Sequence, residues 1–397
     1  MTMKVRALIV LVLIASTMWL AGCGHYTCGT TFGASSCDAG GGGLNQGTGG
    51  TTKGTYLFIA DAGGITGEVL DVSGGKLTAN GSVTIQATGN VPGTYLTIAG
   101  EKFLYSAYPD IGSIYGFSIG GTGSLTALAT VNPFIASSLF NNLPAGMQGM
   151  ITNPAGTLLF LTDPLGQRVY VYQIGTDGTL STASNSPIVL PPGFQPYNLA
   201  VDGLGKYLYV SNYVGGDSTE VAAYTINSLT AVNGSPFTLG IQQMQGEASG
   251  TYMVGVASTL NSGDHNVYLM AIDQASGALL TPPTAKGTSG SPEAVAVQPS
   301  AGGTLVYTFP FPGVTSGQVE GFQISSGALT TVAGSPFAVS GDFGQFDQNG
   351  KYLFVVEGSQ TQTASMSVYD VSASSTLSTA VANVGWADGA WAPTDVQ

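Results

Sequence analysis

An apolar, aromatic-rich run recurs seven times along this chain, and its spacing limits the fold more than any other feature. The runs are Tyr56-Leu57-Phe58, Phe103-Leu104-Tyr105, Leu158-Leu159-Phe160, Tyr207-Leu208-Tyr209, Tyr252-Met253-Val254, Leu305-Val306-Tyr307 and Tyr352-Leu353-Phe354. Their starts lie 47, 55, 49, 45, 53 and 47 residues apart. A period near fifty residues marks a repeat architecture, whether solenoid, array or propeller.

Further markers follow each run. An alternating segment comes first, as in Val221 through Ile226 or Val319 through Ile324, and then a leucine (Leu77, Leu125, Leu180, Leu229, Leu279, Leu329, Leu377). Three units add a Ser-Pro step (Ser186-Pro187, Ser235-Pro236, Ser335-Pro336), which suits an outer edge strand or its turn. A short fourth strand sits between units, clearest in Asn198 through Val201 and Ala294 through Val297, and Gly, Asn and Asp form the turn after it. Period-2 alternation, β-branched and aromatic content and Gly-rich punctuation all specify strands. Four antiparallel strands in each of seven units predict an all-β, seven-bladed β-propeller over residues 55–397. The first unit begins at Tyr56 with no inner strand before it, whereas the last leaves Gly385 through Pro393 over. That tail is expected to supply the missing inner strand, so that the C-terminal strand closes the first blade. Closure of this kind removes sheet edges that would otherwise pair with other chains. Composition agrees, because 59 glycines fit many tight turns and only 8% of residues are charged.

The first 22 residues read as an export signal. Lys4 and Arg6 supply the charge, Ala7 to Ile14 is an unbroken apolar core, and Leu20-Ala21-Gly22-Cys23 ends it. The last four residues resemble a bacterial lipobox, which implies a lipid on Cys23 as the first mature residue. With Gly24 next, the resemblance implies a lipid anchor in the outer membrane or at the cell surface. Residues 23–54 read as a Gly-rich tether spanning on the order of 30 Å. In an oxidising compartment Cys28 and Cys37 suit a disulfide, with metal binding as the alternative.

Charge narrows the partners. Without residues 1–22 the formal charge moves from −13 to −15, and Arg168 is the sole arginine left. Nucleic acid and anionic membrane surfaces are bound by clustered Lys and Arg, and the sequence holds no such cluster, so nucleic-acid binding is excluded. A monomer is expected. No P-loop, His-Glu-x-x-His or Gly-x-Ser-x-Gly motif occurs, and the Gly pairs sit in turns. The mature chain has two histidines, His25 and His265, so a Ser-His-Asp arrangement in the propeller is restricted to His265.

In a propeller, the loop after the second strand and the loop leading into the next inner strand open on one face, around the channel. The second strands end at Asp61, Asp110, Asp163, Asn212, Ser258, Phe309 and Glu357, and the inner strands are preceded by Gln148, Tyr197, Glu293, Asp342 and Asp388. Carboxylates with amides and carbonyls suit a hard cation such as Ca²⁺. The same groups with Tyr197 suit a neutral sugar. The alternative is that Asp and Asn end strands because they suit turns.

Gly205-Lys206-Tyr207-Leu208-Tyr209-Val210-Ser211-Asn212, followed by Val221 through Ile226, Leu229-Thr230 and Gly234-Ser235-Pro236-Phe237, resembles the seven-bladed lactonase-type propellers. That family includes 6-phosphogluconolactonases and muconate-lactonising enzymes, and the resemblance covers about residues 54–397. It implies a lactone-directed site with His, Arg and Glu at the channel mouth, for which Arg168, His265 and Glu357 are the candidates here. One arginine and a strongly negative charge match a phosphorylated sugar poorly. The scarcity of acid and base residues favours a lipid-anchored envelope module that binds an envelope protein or a glycan, with no cofactor required. The resemblance implies the alternative, a lactonase-type hydrolase acting on an uncharged lactone or sugar lactone. A purely structural envelope module is the third reading.

Overall fold

The structure is a computed structural model. It describes residues 55–61, 64–71, 75–84, 95–100, 102–108, 112–120, 123–129, 149–212, 219–257, 264–299, 304–310, 318–347, 350–357, 365–371, 375–377, 379–385 and 391–396. The expected export signal, Cys23, Cys28, Cys37 and the tether lie outside the described residues.

Each apolar run becomes the second strand of a sheet, and each sheet is an antiparallel meander. The first sheet holds Thr55–Asp61, Gly64–Asp71 and Lys76–Thr84. The second holds Tyr95–Ala99, Phe103–Tyr108, Ser113–Ile119 and Leu125–Ala127. The third holds Met150–Thr152, Leu158–Asp163, Arg168–Ile174 and Leu180–Thr182, with Ile188–Val189 on the same edge. The fourth holds Pro196–Val201, Tyr207–Asn212 and Val221–Thr225, and bridges from Val221 to Phe237 and from Tyr224 to Ala231 mark its outer edge. The fifth holds Gln243–Gly246, Tyr252–Val256, Asn266–Ala271 and Thr284–Gly287. The sixth holds Pro292–Val297, Leu305–Pro310, Glu320–Ser325 and Ala328–Thr331. The seventh holds Phe343–Phe346, Tyr352–Glu357, Ser365–Asp370 and Ala382–Gly385. No helix occurs among the described residues.

The two ends of the chain meet in one sheet. Trp391–Val396 pairs antiparallel with Thr55–Asp61, matching Leu57 with Val396 and Ala60 with Trp391. A single parallel bridge, Asn383 to Lys76, then links the outer strands of the seventh and first sheets. Packing follows the same order, since each pair of neighbouring sheets shares one apolar cluster. The seventh and first sheets share Leu57, Leu70, Leu77, Tyr352, Phe354 and Met366, all buried. Fully burying a side chain of this size contributes about 1.5–3 kcal/mol, so this seam is as apolar as those between sequential sheets.

Recurrent side chains complete the backbone. A polar residue after the inner strand caps the turn into the second strand. Asn153 Oδ1 accepts from the Thr157 and Leu158 N–H groups, both at 2.9 Å. Asp202 Oδ1 accepts from Lys206 and Tyr207 at 2.7 Å, and Oδ2 from Leu204 at 3.2 Å. Glu247, Gln298 and Asp347 do the same for Ser249, Leu305 and Tyr352. The serines of the Ser-Pro steps serve the third strand: Ser186, Ser235 and Ser335 Oγ accept from Val171, Ala223 and Gly321 N–H at 2.9, 2.8 and 3.0 Å. The second strands of three sheets reach forward to a turn of the next. Tyr105, Tyr209 and Tyr307 hydroxyls donate to the carbonyls of Gly178, Gly277 and Ser375 at 2.7, 2.9 and 2.8 Å. Turns of successive sheets also touch directly; a Cβ on Gly203 would fall 2.3 Å from the Glu247 carbonyl oxygen, so only glycine fits there.

Two outcomes follow. Deleting residues 391–397 should lower the midpoint of thermal unfolding sharply, because it strips the first sheet of its inner strand, at about 1 kcal/mol per lost hydrogen bond; unchanged melting would contradict the shared sheet. Burial raises the Asp202 carboxyl above the ordinary range, and its three backbone donors offset this only in part. A raised folded pKa gives stability present below the unfolded value, near pH 4, and lost as pH rises through the folded value. Asp202→Asn should therefore gain on the parent protein as pH rises from about 4 to 7, read from urea midpoints. Asp202→Ala should lose stability at every pH, since about 1–3 kcal/mol attends each orphaned buried donor.

Candidate functional site

The strand directions define two faces. Turns from first to second strand and from third to fourth strand lie on one, here the turn face. Loops from second to third strand, and those between sheets, lie on the other, here the loop face. Those of the residues singled out from the sequence that are described belong to the loop face, where Asp163, Asn212 and Glu357 end their strands and Pro196, Pro292 and Phe343 start theirs.

Asp163 and Arg168 form one unit. Arg168 faces Asp163 across a tight hairpin, its Nε donates to Asp163 Oδ2 at 2.8 Å, and the Gly166 N–H donates to Oδ1 at 2.8 Å. The Arg168 side chain is 35% exposed, and its guanidinium lies 5.2 Å from the Tyr170 ring centroid. Its pKa is raised further, chiefly by the hydrogen bond to Asp163. The cation is thus neutralised by its own hairpin rather than presented singly to a ligand. Asn212 is buried and accepts from the Gln195 N–H at 2.8 Å, which ties the end of a second strand to the loop before its inner strand. Tyr197 is also buried, and its hydroxyl accepts from Gln242 Nε2 at 3.3 Å. Glu293 is fully buried at the start of the sixth inner strand, Asp342 is half-buried before the seventh, and Phe309 belongs to the core. Asp61 and Glu357 end their strands, and their side chains lie outside the description. Asp110, Gln148, Ser258 and Asp388 lie outside the described residues.

His265 sits where the second-to-third-strand loop of the fifth sheet meets the segment leading into the sixth. Its Nδ1 lies 2.9 Å from the Gly290 carbonyl oxygen and 3.3 Å from Ser291 Oγ. A carbonyl only accepts, so Nδ1 carries the proton and Nε2 is the basic nitrogen of the neutral ring. Thr288 reinforces the arrangement, its N–H and hydroxyl both donating to the His265 carbonyl. Beside it, buried Glu320 accepts from the Ser289 N–H at 2.6 Å and the Ser289 hydroxyl at 2.9 Å. Tyr268 donates to Asp264, and burial together with that carboxylate lifts its hydroxyl to about 12. The sequence reading missed Ser289, Ser291, Gln242 and Glu320. Only Glu320 left a signal, as a lone carboxylate inside an apolar alternating segment.

Among the described residues no group of three or more His, Cys, Asp or Glu side chains is placed to hold a metal ion. A cavity of about 310 Å³ opens instead on the turn face, lined by Thr152, Pro154, Asp202, Gly203, Ala248 and Phe346 among others. Asp202 there is committed to capping its turn.

No family model matches the chain. Three curated relatives do, all 6-phosphogluconolactonases: from Erwinia tasmaniensis at 26% identity, Yersinia enterocolitica at 30% and Xenorhabdus nematophila at 27%, each over 113 residues. The match spans 28% of this chain and 30% of each relative. Solved structures align over much more. A 6-phosphogluconolactonase candidate from Bacteroides fragilis gives a TM-score of 0.58 at 16% identity, covering 84% of this chain and 97% of that one. A periplasmic gluconolactonase from Pseudomonas aeruginosa gives 0.56 at 16% identity, covering 87% of this chain and 98% of the other. The short sequence matches and the shared fold together make this chain similar to the lactonase-type β-propellers.

Proposed function

We propose that the protein is a lactonase-type hydrolase that opens an uncharged lactone or sugar lactone at its loop face. The observation that carries this is the pairing of sequence matches to 6-phosphogluconolactonases with a fold shared with a gluconolactonase. It overtakes the binding-module reading that the scarcity of acid and base residues favoured. The substrate class follows from charge. Arg168 is neutralised by Asp163, while Glu220, Asp264 and Asp342 bring negative charge to the same face. A phosphorylated sugar is repelled there and a neutral ring is not. Lactone hydrolysis turns a neutral ester into a hydroxy acid, so the same field expels the anionic product. In the reaction, water adds to the ring carbonyl carbon as His265 Nε2 takes its proton. The acyl–oxygen bond then breaks, and the ring oxygen leaves as a hydroxyl by regaining a proton.

The test is a pH-stat assay on glucono-δ-lactone and on its 6-phosphate. Turnover well above the spontaneous rate is expected for the uncharged lactone and much less for the phosphate. His265→Gln should lower kcat by about 10²-fold or more, the usual scale for a lost general base. Absence of turnover on any uncharged lactone would return the protein to the binding-module reading.

We also propose that the protein is exported and held on the membrane through a lipid on Cys23, on the support of the Leu20-Ala21-Gly22-Cys23 step and the apolar core before it. Cys23→Ser should leave the chain unprocessed and unlipidated by mass spectrometry; normal acylation of that variant would end this part of the proposal.

A further inference from the structure

Folding sorts basic side chains that are scattered along the sequence. Six lie among the described residues: Lys76, Lys102, Arg168, Lys206, Lys286 and Lys351. Lys76 follows a third-to-fourth-strand turn, and Lys102, Lys206 and Lys351 each stand in a first-to-second-strand turn. These four are exposed, and their turns all open on the turn face. That the sheets share this orientation is shown by their contacts: added Cβ atoms on Gly156, Gly205 and Gly350 would meet Gly100, Pro154 and Gln298, residues of or beside the same turn in the preceding sheet. Among the described residues the carboxylates that reach solvent on this face are Asp71, Asp177, Asp273 and Asp370, so the four lysines balance them, whereas Asp202, Glu247 and Asp347 are buried in turn caps. The loop face has no such balance. Arg168 there is paired with Asp163, and Lys286, one residue from the loop-face end of its strand, is outnumbered by Glu220, Asp264 and Asp342.

The chain also enters the ring on the turn face. Thr55 pairs with Leu70 and Asp61 with Gly64, so the strand Thr55–Asp61 runs from the turn face to the loop face. Residues 23–54 are therefore attached on the side of the lysines. The same side carries an apolar rim, with Pro154 and Pro299 lining its cavity and Leu204 47% exposed beside them.

We infer that the turn face is the membrane-facing surface of the anchored protein, fitted to a bilayer of anionic phospholipid headgroups, and that it holds the loop-face site toward the aqueous side. This rests on the lipid-anchor reading. Fields decay over about 10 Å at 0.1 M salt, so only the face next to the bilayer feels its charge. The acidic face is repelled, while the turn face, whose lysines offset its carboxylates, is not.

The experiment places the full lipidated chain, with Cys28→Ser and Cys37→Ser, on vesicles of phosphatidylcholine with or without phosphatidylglycerol. Nitroxides go on Leu204→Cys, on the turn face, and on Val189→Cys, which is 75% exposed and pairs with Arg168 toward the loop face. Relaxation by headgroup-chelated nickel should be severalfold stronger at Leu204 on anionic vesicles. Replacing Lys76, Lys102, Lys206 and Lys351 with Gln should narrow that difference. Equal relaxation at both sites, or stronger relaxation at Val189, overturns the orientation. A chain without lipid fails the anchor reading separately, and then co-sedimentation with anionic vesicles at low salt decides. Binding lost in the four-lysine variant sustains the face, and binding indifferent to it overturns the face.

Discussion

Every sheet in this ring has an innermost strand with one backbone neighbour, and the other edge of that strand must find its hydrogen bonds in the adjacent sheet. The protein solves this with side chains. Asn198 Oδ1 accepts from the Met244 N–H at 3.1 Å, Gln243 Oε1 from Val295 at 2.6 Å, and Gln245 Oε1 from Val297 at 2.8 Å. In the second and third sheets the Thr152 hydroxyl donates to the Ile98 carbonyl at 2.9 Å. An unmet backbone group buried at the axis costs as much as a lost hydrogen bond, so these links set the spacing and orientation of neighbouring sheets. The shared orientation then decides which loops open on which face, and so where a site can be.

The fold was legible because its signal is periodic. The run that opens each unit becomes a second strand in all seven sheets, and the surplus tail lies against the first. The site was legible only in outline, and the reason is physical. Asp163 reads as a free ligand carboxylate at a strand end, yet a hairpin of a few residues returns Arg168 onto it. Asn212 reads the same way and instead ties down a neighbouring loop. Pairings of this kind depend on how a loop turns, which strand periodicity does not encode. The lysines make the same point at longer range. Lys76, Lys102, Lys206 and Lys351 form no run in the sequence and share a face only once four strands have been laid side by side in each sheet.

The tyrosine links between sheets are selective. The centre of the second strand is Tyr in the second, fourth and sixth sheets (Tyr105, Tyr209, Tyr307) and Phe58, Phe160, Val254 or Phe354 in the others. Where a hydroxyl is present it donates to a turn of the following sheet; where it is absent, the contact is apolar. Burial raises each of these tyrosines far above the ordinary phenol range, so they remain neutral donors at physiological pH. The ring therefore carries polar clasps between alternate pairs of sheets, laid over a continuous apolar seam.

The antiparallel match of Leu57 with Val396 has a topological meaning. It sets the two ends of the propeller side by side on one face, a strand spacing apart. A linker of a few residues would span that gap, and the circle of sheets could then be cut in any exposed loop without changing the order of its strands. The ring has no intrinsic first sheet. Its beginning is a choice of where the backbone is opened, so circular permutants that start in another sheet are compatible with the same architecture.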